Sequence, residues 1–309
     1  MFEIVFLGTS ASAPSINRGL SANIILYNEY RFLIDCGEGT QRQLLKSGLG
    51  FRRLDKILLT HGHLDHILGL GGLASTFSRW EAIDHIEIYG GEAALKRVKT
   101  LIQDVVLGNA TPPIKIDYCP LKPGVIFEDS TFTLSAFPVV HRGAGCYGFL
   151  FEEKSRRPFD NKRAEALNVP FGPERKQLVA GKPITLNNGR VIHPDDVLGE
   201  EIPGAKLAFM ADVGSTAGLM KYVKNANAMV IESTYIHQDI DMARRFGHLT
   251  AAEAAQLAKD AGVEKLYLTH LSRRYRERDI AIEAQAIFPN TVVVRDFDRV
   301  QVTKSPGRP

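Results

Sequence analysis

Short apolar runs bounded by Gly, Asn or Pro recur through the first half of the chain, as EIVFLG, ANIILYN, YRFLID, DKILLTH, IEIYG, TFTLSAFPVVH and GFLFEE. Their length and aliphatic, β-branched content predict strands, several of which end in a polar cluster. Helical spacing interrupts them at GTQRQLLKSG, around DHILGLGGLASTFSRW and at GEAALKRVKTLIQDV. Strands and helices that alternate irregularly predict a mixed α/β or α+β class.

Two of these words return later in the same order. YRFLIDCGEGT (30–40) is echoed by LAFMADVGST (207–216), and DKILLTHGH (55–63) by EKLYLTHLS (264–272). Each half then holds a strand closing on Asp and a later strand closing on Thr-His. That repetition predicts a duplicated unit whose polar strand ends converge on one edge.

A different segment separates the halves. From Lys154 to Arg190 there are nine Lys or Arg against three acids, a net +6, although the whole chain carries only +3. Pro and Gly recur and no amphipathic period persists, so the segment reads as an extended insertion rather than a layer of the core. Its charge predicts an arm that touches an anionic partner.

Composition changes this little. A chain of 309 residues, 44% hydrophobic and 24% charged, has ordinary globular composition and can bury a substantial core. The beginning, MFEIVFLGTSASAPS, has no basic lead-in and no long apolar run occurs, which predicts neither secretory leader nor membrane span and a cytoplasmic location. Cys36, Cys119 and Cys146 are odd in number and lack CxxC spacing, which predicts reduced thiols used as small apolar residues.

The strongest chemical signal is LLTHGHLDHILGL (58–70), which places His61, His63, Asp65 and His66 in one turn after a strand. Imidazole and carboxylate are good ligands for zinc and related metals, and a turn lets these offsets converge where a strand would not. Four ligands do not close two sites. The strand ends at His141, Asp212 and His270 supply the remainder: His61, His63, His141 and Asp212 around one ion, and Asp65, His66, His270 and the shared Asp212 around a second. Paired ions can clamp a phosphoryl oxygen and lower the pKa of water towards neutrality. Asp35, the counterpart of Asp212 in the echo, is left without a metal position and reads as a supporting or turn-stabilising carboxylate. His85, His193 and His237 have no supporting pattern and read as structural or surface residues.

HxHxDH followed by separated His, Asp and His resembles the signature of the metallo-β-lactamase fold. FLGTSASAPSINRG, DCGEGTQRQL, LTHGHLDH, GPERKQL and THLSRRY are similar, more specifically, to the ribonuclease Z family, over Phe6 to about Tyr275. The resemblance implies an α+β, four-layer αβ/βα sandwich of two similar halves in one domain over 1–309, with a flexible basic arm inserted at about 152–195. It also implies an endoribonuclease that uses two Zn²⁺ per subunit, Mn²⁺ being an alternative. The substrate would be precursor tRNA, cut after the discriminator nucleotide to leave a 3'-hydroxyl on the tRNA and a 5'-phosphate on the trailer. A homodimer is implied, the arm of one subunit gripping the tRNA that enters the site of the other.

Carried over residue by residue, Asp65 is also the proton acceptor, His248 lies by the scissile phosphate, and Glu232 orients it. The arm residues Arg156, Arg157, Lys162, Arg163, Arg175, Lys176 and Lys182, with Arg273 and Arg276 beyond the last ligand, are expected to meet RNA phosphates. Relatives commonly have Gly-Asp-Thr around the bridging Asp, whereas this chain has Ala211-Asp212-Val213 and so lacks a hydroxyl beside that ligand. The competing class is a binuclear zinc hydrolase of small phosphodiesters, lactones or aryl sulfates, for which a +6 arm has little use. A flavin-linked di-iron enzyme would carry Glu where His63 stands, and a metal-free RNA-binding module would not keep all seven ligands.

Overall fold

A computed structural model describes residues 1–78, 83–108, 110 and 114–304. Arg79 and Trp80, the end of the helical stretch expected from 65 to 80, lie outside the described residues. The chain divides into two units, one of Met1–Glu152 with Ala205–Pro309 and the other of Glu153–Gly204.

The larger unit carries two seven-stranded sheets. The first runs, in spatial order, Arg299–Val302, Phe2–Gly8, Ala22–Tyr27, Tyr30–Ile34, Lys56–Leu58, His85–Gly90 and Lys115–Pro120. The second runs Thr291–Val293, Leu266–Thr269, Ala228–Glu232, Lys206–Phe209, Tyr147–Glu153, Phe132–Pro138 and Gly124–Glu128. Both switch from antiparallel to parallel pairing at their centre, where the metal-type side chains leave the strand ends. The inner faces share a core in which Phe2, Phe32, Phe132 and Phe151 are buried and meet edge to face. Each such ring stabilises the fold by about 1.5–3 kcal/mol through removal from water. Helices Thr40–Lys46, Gly69–Phe77 and Glu92–Thr100 cover the outer face of the first sheet, and Ala251–Asp260 with Glu277–Ile287 that of the second. Two sheets with helices on their outer faces make the αβ/βα sandwich expected from the sequence.

Every strand expected in the first half is present. The strands Lys115–Pro120 and Gly124–Glu128 were not expected: none of their residues is fully buried, and the apolar run Val125-Ile126-Phe127 is too short to mark a strand by itself. The echoed strands behave differently in the two halves. Tyr30–Ile34 and Lys56–Leu58 are parallel neighbours, whereas Ala228–Glu232 lies between Lys206–Phe209 and Leu266–Thr269.

The basic segment corrects the expectation of an extended insertion. Helices Asn161–Ala166 and Pro173–Val179, the hairpin Ile184–Thr185 with Val191–Ile192, and a turn at Pro194–Val197 enclose their own core of Ala164, Val169, Leu178, Ile184, Ile192, Val197 and Leu198. Asp160 caps the first helix by accepting the backbone N–H of Arg163 at 3.1 Å. Helices this short do not show a period in the sequence, which is why the segment reads there as coil. Among the described residues, no helix is long and apolar enough to cross a membrane.

Candidate metal centre

Six strand ends deliver the polar side chains. His61 follows Lys56–Leu58, and the backbone N–H of Tyr147 donates to the Thr60 carbonyl at 2.8 Å, fixing the exit of that strand. Asp65 and His66 sit on the single helical turn Leu64–Ile67, which converts the sequence spacing into convergence. His141 follows Phe132–Pro138, and the Gly214 N–H donates to the Val140 carbonyl at 2.6 Å, joining this loop to the one carrying Asp212. His270 ends Leu266–Thr269 at φ 54 and Asp35 ends Tyr30–Ile34 at φ 58, a left-handed conformation uncommon for residues other than Gly. His248 precedes the helix Ala251–Asp260, whose Thr250–Glu253 capping box fixes where the loop stops.

The seven candidate ligands form two adjoining groups, His61, His63, His141 and Asp212 in one and Asp65, His66 and His270 in the other, with donor atoms within 4.8 Å of one another in each. Asp212 spans both. Its Oδ2 lies 3.7 Å from His61 Nε2 and 3.6 Å from His141 Nε2, while Oδ1 lies 3.4 Å from His66 Nε2 and 3.2 Å from His270 Nε2. Asp65 Oδ2 stands 3.7 Å from His66 Nε2 and 3.5 Å from His270 Nε2 and accepts the Ser12 N–H at 2.9 Å.

The hydrogen bonds around this set decide which nitrogen of each ring is free. His141 Nδ1–H donates to the Gly247 carbonyl at 2.6 Å, and His66 Nδ1–H to Asp35 Oδ2 at 2.7 Å. The Thr60 hydroxyl gives its one proton to Asp35, so it accepts from His61 Nδ1–H at 3.0 Å. Likewise the Thr234 hydroxyl donates to Glu232 Oε2 at 2.5 Å and accepts from His270 Nδ1–H at 3.0 Å. Four Nε2 lone pairs are thereby turned towards Asp212, and His63 brings Nδ1 to 3.3 Å from His141 Nε2.

Such an arrangement needs a cation. His61 Nε2, His66 Nε2, His270 Nε2 and Asp212 Oδ1 are buried with no hydrogen-bond partner, a costly state for polar atoms. Converging imidazole and carboxylate donors of this kind fit divalent zinc or manganese. Burial holds His61 well below the ordinary imidazole range and His63 down at about 4, which keeps both lone pairs available. Burial acts the same way on His66, but Asp212 and Asp35 outweigh it and hold that ring well above its ordinary value. A cation at His66 Nε2 would take the place of that proton. Against the opposing effect of burial, His270 and His66 hold both Asp65 and Asp212 ionised.

His248 joins the centre without completing either group. Its Nδ1 lies 2.9 Å from Glu232 Oε1 and 3.9 Å from Asp212 Oδ2. Burial opposes charging of the ring, but Glu232 raises it to about 8. Glu232 thus contacts His248 directly and also accepts the Val213 N–H at 2.6 Å, tying it to the loop that carries Asp212. Asp35 occupies the supporting position expected of it. Thr60, Thr234 and the Gly247 carbonyl were not singled out in the sequence, because a hydroxyl or carbonyl partner is defined only by folding.

The expected RNA contacts divide. In the basic unit, Arg157 is engaged with the Gly199 carbonyl and Asp195, and Arg163 with Asp160. Arg175 bonds the Pro170 and Val169 carbonyls and Asn161 and lies 3.5 Å from the Phe171 ring centroid. Arg156, Lys162, Lys176 and Lys182 are not buried. In the larger unit, Arg273 is exposed beside His248 in a cleft, and Arg276 opens the helix Glu277–Ile287.

Comparison with known proteins places these features in a family. The model of Anti-Pycsar protein Apyc1 matches residues 2–179 and that of the beta-lactamase superfamily domain residues 175–271. A ribonuclease Z of Bradyrhizobium diazoefficiens is 45% identical over 302 residues, covering 98% of this chain and all of that one. A ribonuclease Z of Archaeoglobus fulgidus is 35% identical over 98% of both chains. Among solved structures, human tRNase Z, short form, superposes with a TM-score of 0.69 at 25% identity, covering 98% of this chain and 100% of that one.

Proposed function

The chain belongs to the ribonuclease Z family, and over residues 2–179 to the Apyc1 group as well, and from that premise we propose that it is a metal-dependent endoribonuclease that removes the 3' trailer of precursor tRNA. The cut falls on the 3' side of the discriminator nucleotide. It leaves a 3'-hydroxyl on the tRNA and a 5'-phosphate on the trailer. The observation that carries this reading is the set of buried, partnerless donor atoms around Asp212 in a chain similar to ribonucleases Z along its whole length. Named as ligands are His61, His63, His141 and Asp212 for one ion and Asp65, His66, His270 and Asp212 for the other, with two zinc ions per subunit and manganese as the alternative.

Bound divalent ions supply positive charge against the phosphate oxygens and lower the pKa of water. The side chains do the rest. Asp65, held ionised at the rim of the centre, accepts the proton of the attacking water. His248, oriented through Nδ1 by Glu232, donates to the departing 3' oxygen as the P–O bond breaks. Arg156, Lys162, Lys176, Lys182, Arg273 and Arg276 draw the RNA in by its phosphates, while Arg157, Arg163 and Arg175 brace the basic arm itself. The enzyme acts as a cytoplasmic homodimer, each arm serving the partner's site.

Replacement of Asp65 or His66 by Ala tests the reading. Cleavage of precursor tRNA is expected to fall below detection while the equilibrium affinity for that RNA changes little. Unaltered turnover in either variant would reject the two-metal centre.

A further inference from the structure

His61, His66, His141 and His270 are each aimed by a hydrogen bond from their second nitrogen. His63 is not. Its Nδ1 meets His141 Nε2 at 3.3 Å, and among the described residues no hydroxyl, carboxylate or carbonyl holds its ring. The ring is also only half-buried, whereas His61, His66 and His270 are buried. Its direction therefore follows from the backbone of the turn that carries it.

That backbone is held at two successive carbonyls. The His63 carbonyl accepts the His66 N–H at 3.1 Å, and the Gly62 carbonyl accepts Arg97 Nη1–H at 2.8 Å. The second of these belongs to the peptide that joins Gly62 to His63, a rigid plane from which the His63 side chain departs. Arg97 comes from the helix Glu92–Thr100, anchored in the core by Ala94, Leu95 and Val98. Ala94 lies against the same turn: a Cβ at Gly62 would come 3.0 Å from Ala94 Cα and 3.2 Å from Ala94 Cβ. Residues three apart on a helix are surface neighbours, so Arg97 reaches the glycine on which Ala94 packs. The start of the helix is fixed by an equally close approach, since a Cβ at Gly91 would fall 2.3 Å from the Gly145 carbonyl oxygen. Arg97 itself is exposed, and among the described residues no carboxylate pairs with it. Its charged donor is committed to this carbonyl, a stronger bond than a neutral donor makes.

We infer that Arg97 is a positioning residue for His63: its guanidinium holds the Gly62 carbonyl and so aims a candidate ligand whose ring has no support of its own. The assignment rests on the metal centre proposed above. It makes the helix Glu92–Thr100, which contributes no ligand, a part of the apparatus that sets the group of His61, His63, His141 and Asp212.

The test is titration of the metal-free full chain with Zn²⁺, in competition with a chromogenic chelator, and with Co²⁺, read by its visible absorption. Arg97→Met keeps the stem and removes the donor; it should weaken one of the two zinc equivalents by about tenfold and alter the Co²⁺ bands. Arg97→Lys should bind as the parent does, because a single carbonyl needs one charged donor and not a fork. In a His63→Ala background, Arg97→Met should change zinc affinity by about twofold or less, since its effect passes through His63. Parental affinity in Arg97→Met, equal weakening of both equivalents, a loss in Arg97→Lys as large as in Arg97→Met, or a loss that persists undiminished without His63 would each overturn the assignment. A parent chain that binds fewer than two equivalents refutes the two-metal centre and this assignment with it; two equivalents in the parent and in Arg97→Met, with equal affinities, refute the role of Arg97 alone.

Discussion

His61, His66, His141 and His270 each have one nitrogen committed to the protein and one left over, and the committed partner is what makes each a ligand. Asp35 illustrates the economy: its carboxylate receives His66 Nδ1–H and the Thr60 hydroxyl, and through Thr60 it also sets His61. Asp35→Asn should therefore lower zinc affinity by about 10–100-fold, measured by competition with a chromogenic chelator; unaltered affinity would show that the ring orientation is set elsewhere. His248→Ala should reduce precursor cleavage by about 10²–10⁴-fold with metal content, read by elemental analysis, still at the parent level. A variant that loses metal as well would make His248 a ligand rather than an acid. At this scale the donor types were legible because HxHxDH is a local spacing. Their supports were not. Although both echoed strands close on Thr-His, the hydroxyl on His61 comes from the adjoining Thr60 and that on His270 from Thr234 on the neighbouring strand end.

Close backbone approach places the Asp65–His66 turn. A Cβ at Gly69 would fall 2.1 Å from the Gly37 carbonyl oxygen, and one at Gly37 would fall 2.4 Å from the Asp65 carbonyl oxygen, so the two loops touch with no side chain between them. Gly69→Ala should destabilise the protein by about 1–3 kcal/mol and weaken metal binding. Gly48→Ala, at φ 77 with open space around it, should cost about 1–2 kcal/mol and leave metal binding alone. Denaturant unfolding and metal titration of both variants separate these outcomes, and equal behaviour would contradict the packing argument. Phe2–Gly8, Ala22–Tyr27, Tyr30–Ile34 and Lys56–Leu58 of the first sheet were legible because their apolar runs are contiguous and largely buried, and His85–Gly90 because its burial alternates. Ala228–Glu232, which carries Glu232 between the two echoed strands, was not singled out as a strand, although all of its residues are buried.

The whole chain combines a polar centre with a separately cored basic unit. Joining Glu152 to Ala205 removes that unit and should leave a protein that unfolds in one cooperative transition, since the larger unit has its own cores. Precursor tRNA affinity should fall. The slope of log Kd against log salt should flatten by about 0.7–0.9 for each phosphate that the arm no longer neutralises; an unchanged slope would remove the arm from RNA binding. Charge made this unit visible in the sequence and its fold did not, because Val169, Leu178, Ile184, Ile192 and Val197 are too widely spaced to mark elements. The substrate, likewise, is not written in the ligands, which specify hydrolysis and no more; it follows from the flanking blocks and the charge. The most direct measurement is incubation of the metal-loaded chain with precursor tRNA bearing a 3' trailer, followed by mapping of the product ends. The account predicts one cut after the discriminator nucleotide, with a 3'-hydroxyl on the tRNA and a 5'-phosphate on the trailer. An intact precursor, or ends at any other position, would contradict it.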